Sequence, residues 1–300
     1  MFKKMFLLTI PVLIGSTVDQ INVLVDRLLA SFLEEGSVSA LNYSYRLNAL
    51  FTSLFASSIG VVIYYATSTA GAEKDYEKLK KQLYVGLELI ILLALPISIG
   101  ILAFAGPIVK VVFERGAFDP DASAMSAYAL TFYCLGIMGV MMRDLLSRTF
   151  YSLQDTKTPM KNGVVAVLLN IILSVILVNF MKLGGLALAF AISLNFSGFM
   201  LYLLLNRKIK IDFHKRIGLS FLKGIVAATG MIVPAYFLYP YLFSLGTNTN
   251  SWRMVALFTT VVIATIIYLV LVYFFKFEIV EMLKEKIKGK FGKVRDVGNR

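Results

Sequence analysis

Apolar positions dominate the chain in long runs, and short polar breaks punctuate them. Eight runs reach or approach membrane-spanning length, at 5–33, 38–66, 83–105, 122–151, 159–180, 186–205, 217–242 and 252–275. This pattern predicts an all-α, polytopic helical membrane protein. Inside the runs the polar residues keep a helical period. Asp19, Asn22 and Asp26 fall on one face of the first run, with Arg27 turned elsewhere. Ser39, Asn42, Arg46, Ser53 and Ser57 form a stripe on the second, and Asn170 and Ser174 lie one turn apart in the fifth. Hydrocarbon cannot satisfy such stripes, so they face other helices or water. For the Ser and Asn positions, helix-to-helix bonding and a polar cavity both remain open. For Asp26 and Arg46 the expectation is a water-filled cavity, because a charge in hydrocarbon costs at least about 2.5 to 3.5 kcal/mol.

Asp26 and Arg46 stand at nearly equal distances from the break Glu34-Glu35-Gly36-Ser37. If that break is a tight turn, a rise of about 1.5 Å per residue puts both charges at one depth on adjacent antiparallel helices, and they are expected to pair. Pro11 and Gly15 in the first run, Pro96 in the third and Pro234 in the seventh are expected to let their helices bend.

Composition agrees with a lipid solvent: 58% of residues are hydrophobic and 16% charged. The net charge of +12 is read as topology, with no nucleic-acid partner. Lys3, Lys4, Lys74, Lys78, Lys80, Lys81, Lys157, Lys161, Arg207, Lys208, Lys210, Lys215, Arg216 and the basic tail fall on one side. The other side receives Lys110, Arg115, Lys182 and Arg253. By the positive-inside rule both termini are expected in the cytoplasm. In the tail, Ile279, Met282, Leu283, Ile287 and Phe291 recur at helical spacing among lysines. An amphipathic helix on anionic lipid and a solvated basic tail are both compatible with that spacing. Lys3 and Lys4 before an apolar stretch imitate a signal peptide, but no small-x-small cleavage site follows, and the segment is expected to stay as a helix.

Chemistry is sparse. A single cysteine, Cys134, forms no internal disulfide, and a single histidine, His214, builds no metal site alone. Neither a phosphate-binding loop nor an H-E-x-x-H motif is present, so the chain is not expected to be an enzyme or to hydrolyse ATP. Asp144 precedes Arg148 by one turn, the favourable order for an ion pair, and Tyr151 and Asp155 continue that face. Thr158 and Pro159 then open a helix, and Asp144, Arg148, Asp155 and Pro159 are read together as a structural hinge. Gly116 suits a tight turn, with Asp119-Pro120-Asp121 opening the next helix.

Several stretches resemble a known family. They are Glu114-Arg115-Gly116-Ala117-Phe118-Asp119 and Leu145-Leu146-Ser147-Arg148-Thr149-Phe150-Tyr151-Ser152-Leu153-Gln154-Asp155-Thr156-Lys157-Thr158-Pro159. Val25-Asp26-Arg27-Leu28-Leu29-Ala30-Ser31, Ser39-Ala40-Leu41-Asn42-Tyr43-Ser44-Tyr45-Arg46-Leu47, Asn170-Ile171 and Gly185-Leu186-Ala187-Leu188-Ala189 support them. These resemble the MurJ (MviN) lipid II flippases of the multidrug/oligosaccharidyl-lipid/polysaccharide exporter superfamily, and only their C-terminal half. The resemblance implies a six-helix lobe over 1–206, two additional transmembrane helices over 207–276 and a basic cytoplasmic tail over 277–300. It also implies a missing N-terminal lobe, in a longer chain of which this is a fragment or in a second chain.

The implied function is translocation of the undecaprenyl-pyrophosphate-linked peptidoglycan precursor to the outer leaflet of the bacterial inner membrane. Export of another lipid-linked oligosaccharide and a non-transporting membrane scaffold are the alternatives. Arg46, Asp26 and Asn42 are the implied substrate-binding residues, with the Arg46 guanidinium shaped for phosphate oxygens. In sodium-coupled members of the family the matching ion-site positions are Asp26, Asn170, Ser174 and Phe190. Phe190 offers no side-chain oxygen and Ser174 replaces a carboxylate, so these residues do not complete the roughly six-oxygen shell of a hard cation. No other cofactor is implied. The last two helices resemble a pair lining a groove for the polyprenyl tail, although plain lipid-facing helices with interfacial Tyr239, Tyr241 and Trp252 fit as well.

Overall fold

The computed structural model describes residues 20–73, 75–246 and 249–281, apart from the side chains of 55–66, 68, 71 and 72. The helices are α1 (residues 20–31), α2 (Ser37–Ala72), α3 (Tyr76–Phe113), α4 (Pro120–Tyr133), α5 (Ile137–Ser152), α6 (Lys157–Met181), α7 (Leu183–Ile209), α8 (His214–Ser244) and α9 (Asn250–Phe274). A single 3-10 turn, Cys134–Gly136, joins α4 and α5 into one span. Among the described residues, α3, the α4–α5 rod, α6, α7, α8 and α9 are long and apolar enough to cross a membrane. With α2, which packs on α3, α4 and α5, and α1, they give the expected six-helix lobe plus two. Pro11, Gly15 and Asp19 lie outside the described residues, as do the tail beyond 281 and the side chain of Ser57.

Local signals set the helix ends. Gly36, with φ of 88°, makes the α1–α2 turn, and Gly116, with φ of 61°, makes the α3–α4 turn. Asp119 then caps α4 by accepting from the Ala122 N–H at 2.8 Å, and Asp75 caps α3 through Lys78 N–H at 3.0 Å.

In the lobe α7 packs against α4, α5 and α6. Its approach to α5 depends on Gly139, where an added Cβ would lie 2.5 Å from the Asn195 backbone nitrogen. The 3-10 turn frees carbonyls that lipid could not bond. Ser98 of α3 donates to Cys134 O at 2.8 Å, and Asn195 of α7 donates to Leu135 O at 2.8 Å.

The bend in α3 is not where Pro96 predicts it. Non-helical torsions occur at Phe104 (φ −118°, ψ 18°), three residues before Pro107, whose ring crowds the preceding turn. Pro96 sits within regular helix, and Pro234 likewise lies inside the continuous α8.

α8 and α9 pack on each other and on α3. Ala227, Ala228, Met231, Ala264 and Tyr268 bury themselves against Leu92 and Phe104, and small residues let these backbones approach. The contact is fixed at both ends. At one end Arg253 of α9 pairs with Glu114 at 3.1 Å. At the basic end Glu88 of α3, 1% exposed, accepts from Ser220 Oγ at 2.8 Å, Tyr84 OH at 3.2 Å and Ile279 N–H at 2.9 Å. Lys223 of α8 donates to Phe275 O at 2.9 Å beside these, and Phe277 and Ile279 are buried. Four residues, 278–281, begin a helix here, so its first turn is held on α3 and α8. Leu24, Ile172, Phe237, Phe258 and Phe274 all point outward, the inverted pattern that a lipid solvent permits.

Candidate functional site

Asp26 is buried at 5% exposure on the face of α1 that also carries Asn22 and Ala30. Ser174 of α6 donates to Asp26 Oδ1 at 3.1 Å, with Asn170 Oδ1 as its alternative acceptor at 3.3 Å. The expected cluster of Asp26, Asn170 and Ser174 is therefore assembled. Aromatic rings close it: Tyr45 and Tyr133 each meet Phe190 edge-on, at 5.8 and 5.2 Å between centroids. Tyr45, Tyr133, Phe190 and Asn42 border a chamber of about 20 Å³ beside the carboxylate, room for about one water. Phe190 brings its ring to this chamber and no side-chain oxygen. Among the described residues no group of three or more His, Cys, Asp or Glu could hold a metal ion.

Arg46 does not pair with Asp26, contrary to the expectation from depth. Equal distance from a turn fixes height along two helices and leaves rotation free. α2 turns Ala40, Ser44, Leu47 and Asn48 inward, and Arg46, two positions from Ser44 and so about 200° around the axis, is exposed. Asp26 turns instead into α6. Ser39 and Ser53 share the exposed face with Arg46, and half-buried Asn42 lies beside them with its amide donating to Val38 O at 2.8 Å. Ser39, Asn42 and Arg46 thus present polar groups outside the lobe, while Ser53 also reaches the crevice that Asp144 and Arg148 line.

The structure divides the hinge residues. Arg148 Nε donates to both Asp144 oxygens at 3.0 Å, and both residues line a crevice of about 620 Å³ within the lobe. Asn22, Asn48, Arg143, Ser147 and Tyr151 also line it. Asp155 and Pro159 sit at the α5–α6 turn. Asp155 accepts from Thr158 N–H at 3.0 Å, Thr158 Oγ1 at 2.9 Å and Lys208 Nζ of α7 at 2.9 Å. Partial burial pushes its carboxyl up, but the Lys208 and Thr158 bonds outweigh this and hold it below the usual value of 3.8. At the opposite end Glu34 pairs with Lys182, which holds the exposed Glu34 carboxyl below its usual value as well.

Glu88, Asn48 and Arg143 were not singled out by sequence reasoning. Glu88 is an acid inside an apolar run and Arg143 a cation inside another, and the rarity of intramembrane charge marks both. Asn48, buried and at the crevice, is uncharged and carries no such mark.

Residues 1–257 match the family described as "Lipid II flippase MurJ". A probable lipid II flippase MurJ of Vibrio cholerae is 36% identical over 66% of this chain and 38% of its own length. One from Haemophilus influenzae is 31% identical over 87% of this chain and 52% of its own length. The chain spans about half the length, or less, of these curated relatives. Among solved structures, a lipid II flippase MurJ in an inward closed conformation superposes with a TM-score of 0.72 at 26% identity, over 89% of this chain and 53% of that one. An outward-facing MATE transporter of the MOP superfamily shares the fold, with a TM-score of 0.60 at 18% identity over 90% of this chain and 64% of that one. The helical lobe, its two added helices and a match that runs through most of the sequence agree, and the chain belongs to the lipid II flippase MurJ family.

Proposed function

We propose that this chain is the C-terminal lobe of a lipid II flippase, carrying the undecaprenyl-pyrophosphate-linked peptidoglycan precursor from the cytoplasmic to the outer leaflet of a bacterial inner membrane. One observation carries the reading most directly: Arg46 is exposed on a polar face of α2 that the lobe leaves uncovered. Such a face does not suit lipid, and a second, opposed bundle would turn it into one wall of a water-filled cavity. Arg46 then meets the pyrophosphate with a planar fork of donors. Buried Asp26, bonded to Ser174, supports α1 behind that wall. α8 and α9, apolar outside and fixed to α3, offer the flank along which a polyprenyl tail travels. The basic helix ends and both termini lie on the cytoplasmic side, and no bond is made or broken in the process. Sodium is assigned no step.

Complementation tests the reading. A flippase-depleted bacterium should fail to grow with this chain alone and recover when a six-helix first lobe is co-expressed. Recovery by the chain alone would refute the two-lobe requirement, and failure of both arms despite normal membrane insertion would refute the flippase assignment.

A further inference from the structure

We propose that α3 is jointed at Phe104 and couples the ends of α2 and α9 that lie beside Glu114, so that a shift of the wall carrying Arg46 moves the α8–α9 pair with it. The joint stands on helix geometry alone, and its use in moving a lipid rests on the flippase reading.

Three sequence features meet at the joint. Phe104 has non-helical torsions, φ −118° and ψ 18°, and Pro107 beyond it has no N–H to give the preceding turn. Gly100 lies one turn before Phe104, and Gly106 directly precedes the proline. Glycine is less favourable than alanine inside a helix, so each one calls for a reason. Close packing supplies that reason elsewhere: a Cβ on Gly139 of α5 would lie 2.5 Å from α7, and one on Gly224 of α8 would lie 2.8 Å from Leu95. At Gly100 and Gly106 a Cβ would meet nothing within 4 Å. Neither glycine serves a contact. What each gives the helix is freedom to bend beside a proline.

The two arms of α3 have different partners. The near arm, 76–103, is fixed by Glu88 to α8 and to the segment after α9, and by the Leu92 carbonyl to Tyr268 of α9. The far arm, 105–113, ends at Phe113, whose ring centroid lies 4.8 Å from that of Tyr43 on α2. Glu114 follows it and accepts from Arg253 of α9 at 3.1 Å. Tyr43 stands one turn from Arg46, so a ligand that draws Arg46 displaces the turn against which Phe113 rests. The far arm then swings at Phe104, as a hinge does when a few residues absorb the change in torsion. Arg253 carries that swing into α9, which pivots about its Tyr268 contact. α8 follows, because Trp252 Nε1 of α9 donates to Leu242 O of α8 at 3.1 Å.

The test uses the full chain in lipid nanodiscs, with spin labels on pairs of introduced cysteines and distances read by double electron–electron resonance. Native Cys134 is buried and takes no label. Val112→Cys marks the far arm, Ser251→Cys the end of α9, and Asn179→Cys on α6 the reference; all three positions are exposed. Both distance distributions to Asn179→Cys should be broad in the otherwise wild-type chain. Each should narrow to a single peak when Gly100→Ala and Gly106→Ala are combined, since alanine stiffens the helix there and meets no clash. In a Glu114→Ala background the two alanines should still narrow the Val112→Cys distribution and no longer change that of Ser251→Cys. Equal widths with and without the alanines would overturn the joint. Narrowing at Ser251→Cys that persists without Glu114 would overturn the coupling. Export separates the joint from the flippase reading: with a first lobe co-expressed, the alanine variant should move less lipid II to the outer leaflet at equal inserted protein. Unchanged export would overturn the role of the joint in transport. Absence of export by the wild type would count against the flippase reading, and the distance widths would still decide the joint.

Discussion

The Tyr268 hydroxyl of α9 donates to the Leu92 carbonyl of α3 at 2.7 Å. That carbonyl is the one whose helical donor would be residue 96, and residue 96 is proline, which has no N–H. The proline therefore does not bend α3 here. It opens an acceptor within the membrane, and α9 fills it.

Tyr268→Phe should destabilise the α3–α9 contact by about 0.6 to 1.7 kcal/mol, the average and the maximum for single hydrogen bonds between membrane helices. In a Pro96→Ala background, where the backbone supplies its own donor, the same substitution should cost much less. Thermal unfolding in detergent of the two single variants and the double variant completes the cycle. Additive losses would show that Tyr268 does not answer the proline.

Glu88 joins three segments through its three accepted bonds. Glu88→Leu should strand the Ile279 N–H and the Ser220 hydroxyl, at about 1 to 3 kcal/mol for each group left unsatisfied. The first turn of the helix at 278–281 should loosen, and trypsin should cut after the exposed Lys276 faster than in the wild type. Unchanged cleavage would mean that Phe277 and Ile279 hold the segment by packing alone.

Asp26 bonds to Ser174 and not to Arg46. Stability changes in Asp26→Asn and Ser174→Ala should be strongly non-additive, whereas Asp26→Asn and Arg46→Gln should add within about 0.5 kcal/mol. A large coupling between Asp26 and Arg46 would revive the ion pair and contradict the geometry described above.

The helices themselves were legible because runs of apolar residues report them directly. The turns at Gly36 and Gly116 were legible because glycine and polar residues are needed where φ is positive. Rotation about the helix axes was not. The spacing of Asp26 and Arg46 around 34–37 gives depth, but which way each residue faces depends on α4 and α6, far away in sequence. Likewise Pro96 announced a missing donor and not its outcome, since Tyr268 lies 172 positions further along.

The α5–α6 turn should respond to acid. Asp155 is held below its usual value of 3.8 when folded, so the Lys208 and Thr158 contacts contribute fully above that value and are lost as pH falls through the lower folded one. Hydrogen exchange at the Thr158 amide should therefore accelerate, relative to its intrinsic rate, below about pH 3.8, and Asp155→Asn should abolish that dependence. A wild-type profile identical to that of the variant would dissociate the turn from this carboxylate.

The most direct test of the central claim measures flipping itself. Cells depleted of their own flippase, and carrying this chain with a first lobe, are assayed for lipid II reaching the outer leaflet, with wild-type Arg46 and with Arg46→Lys. The substitution keeps the charge and removes the planar fork. The account predicts that outer-leaflet lipid II falls while the amount of inserted protein stays the same. Full export by the lysine variant at equal protein level would contradict it.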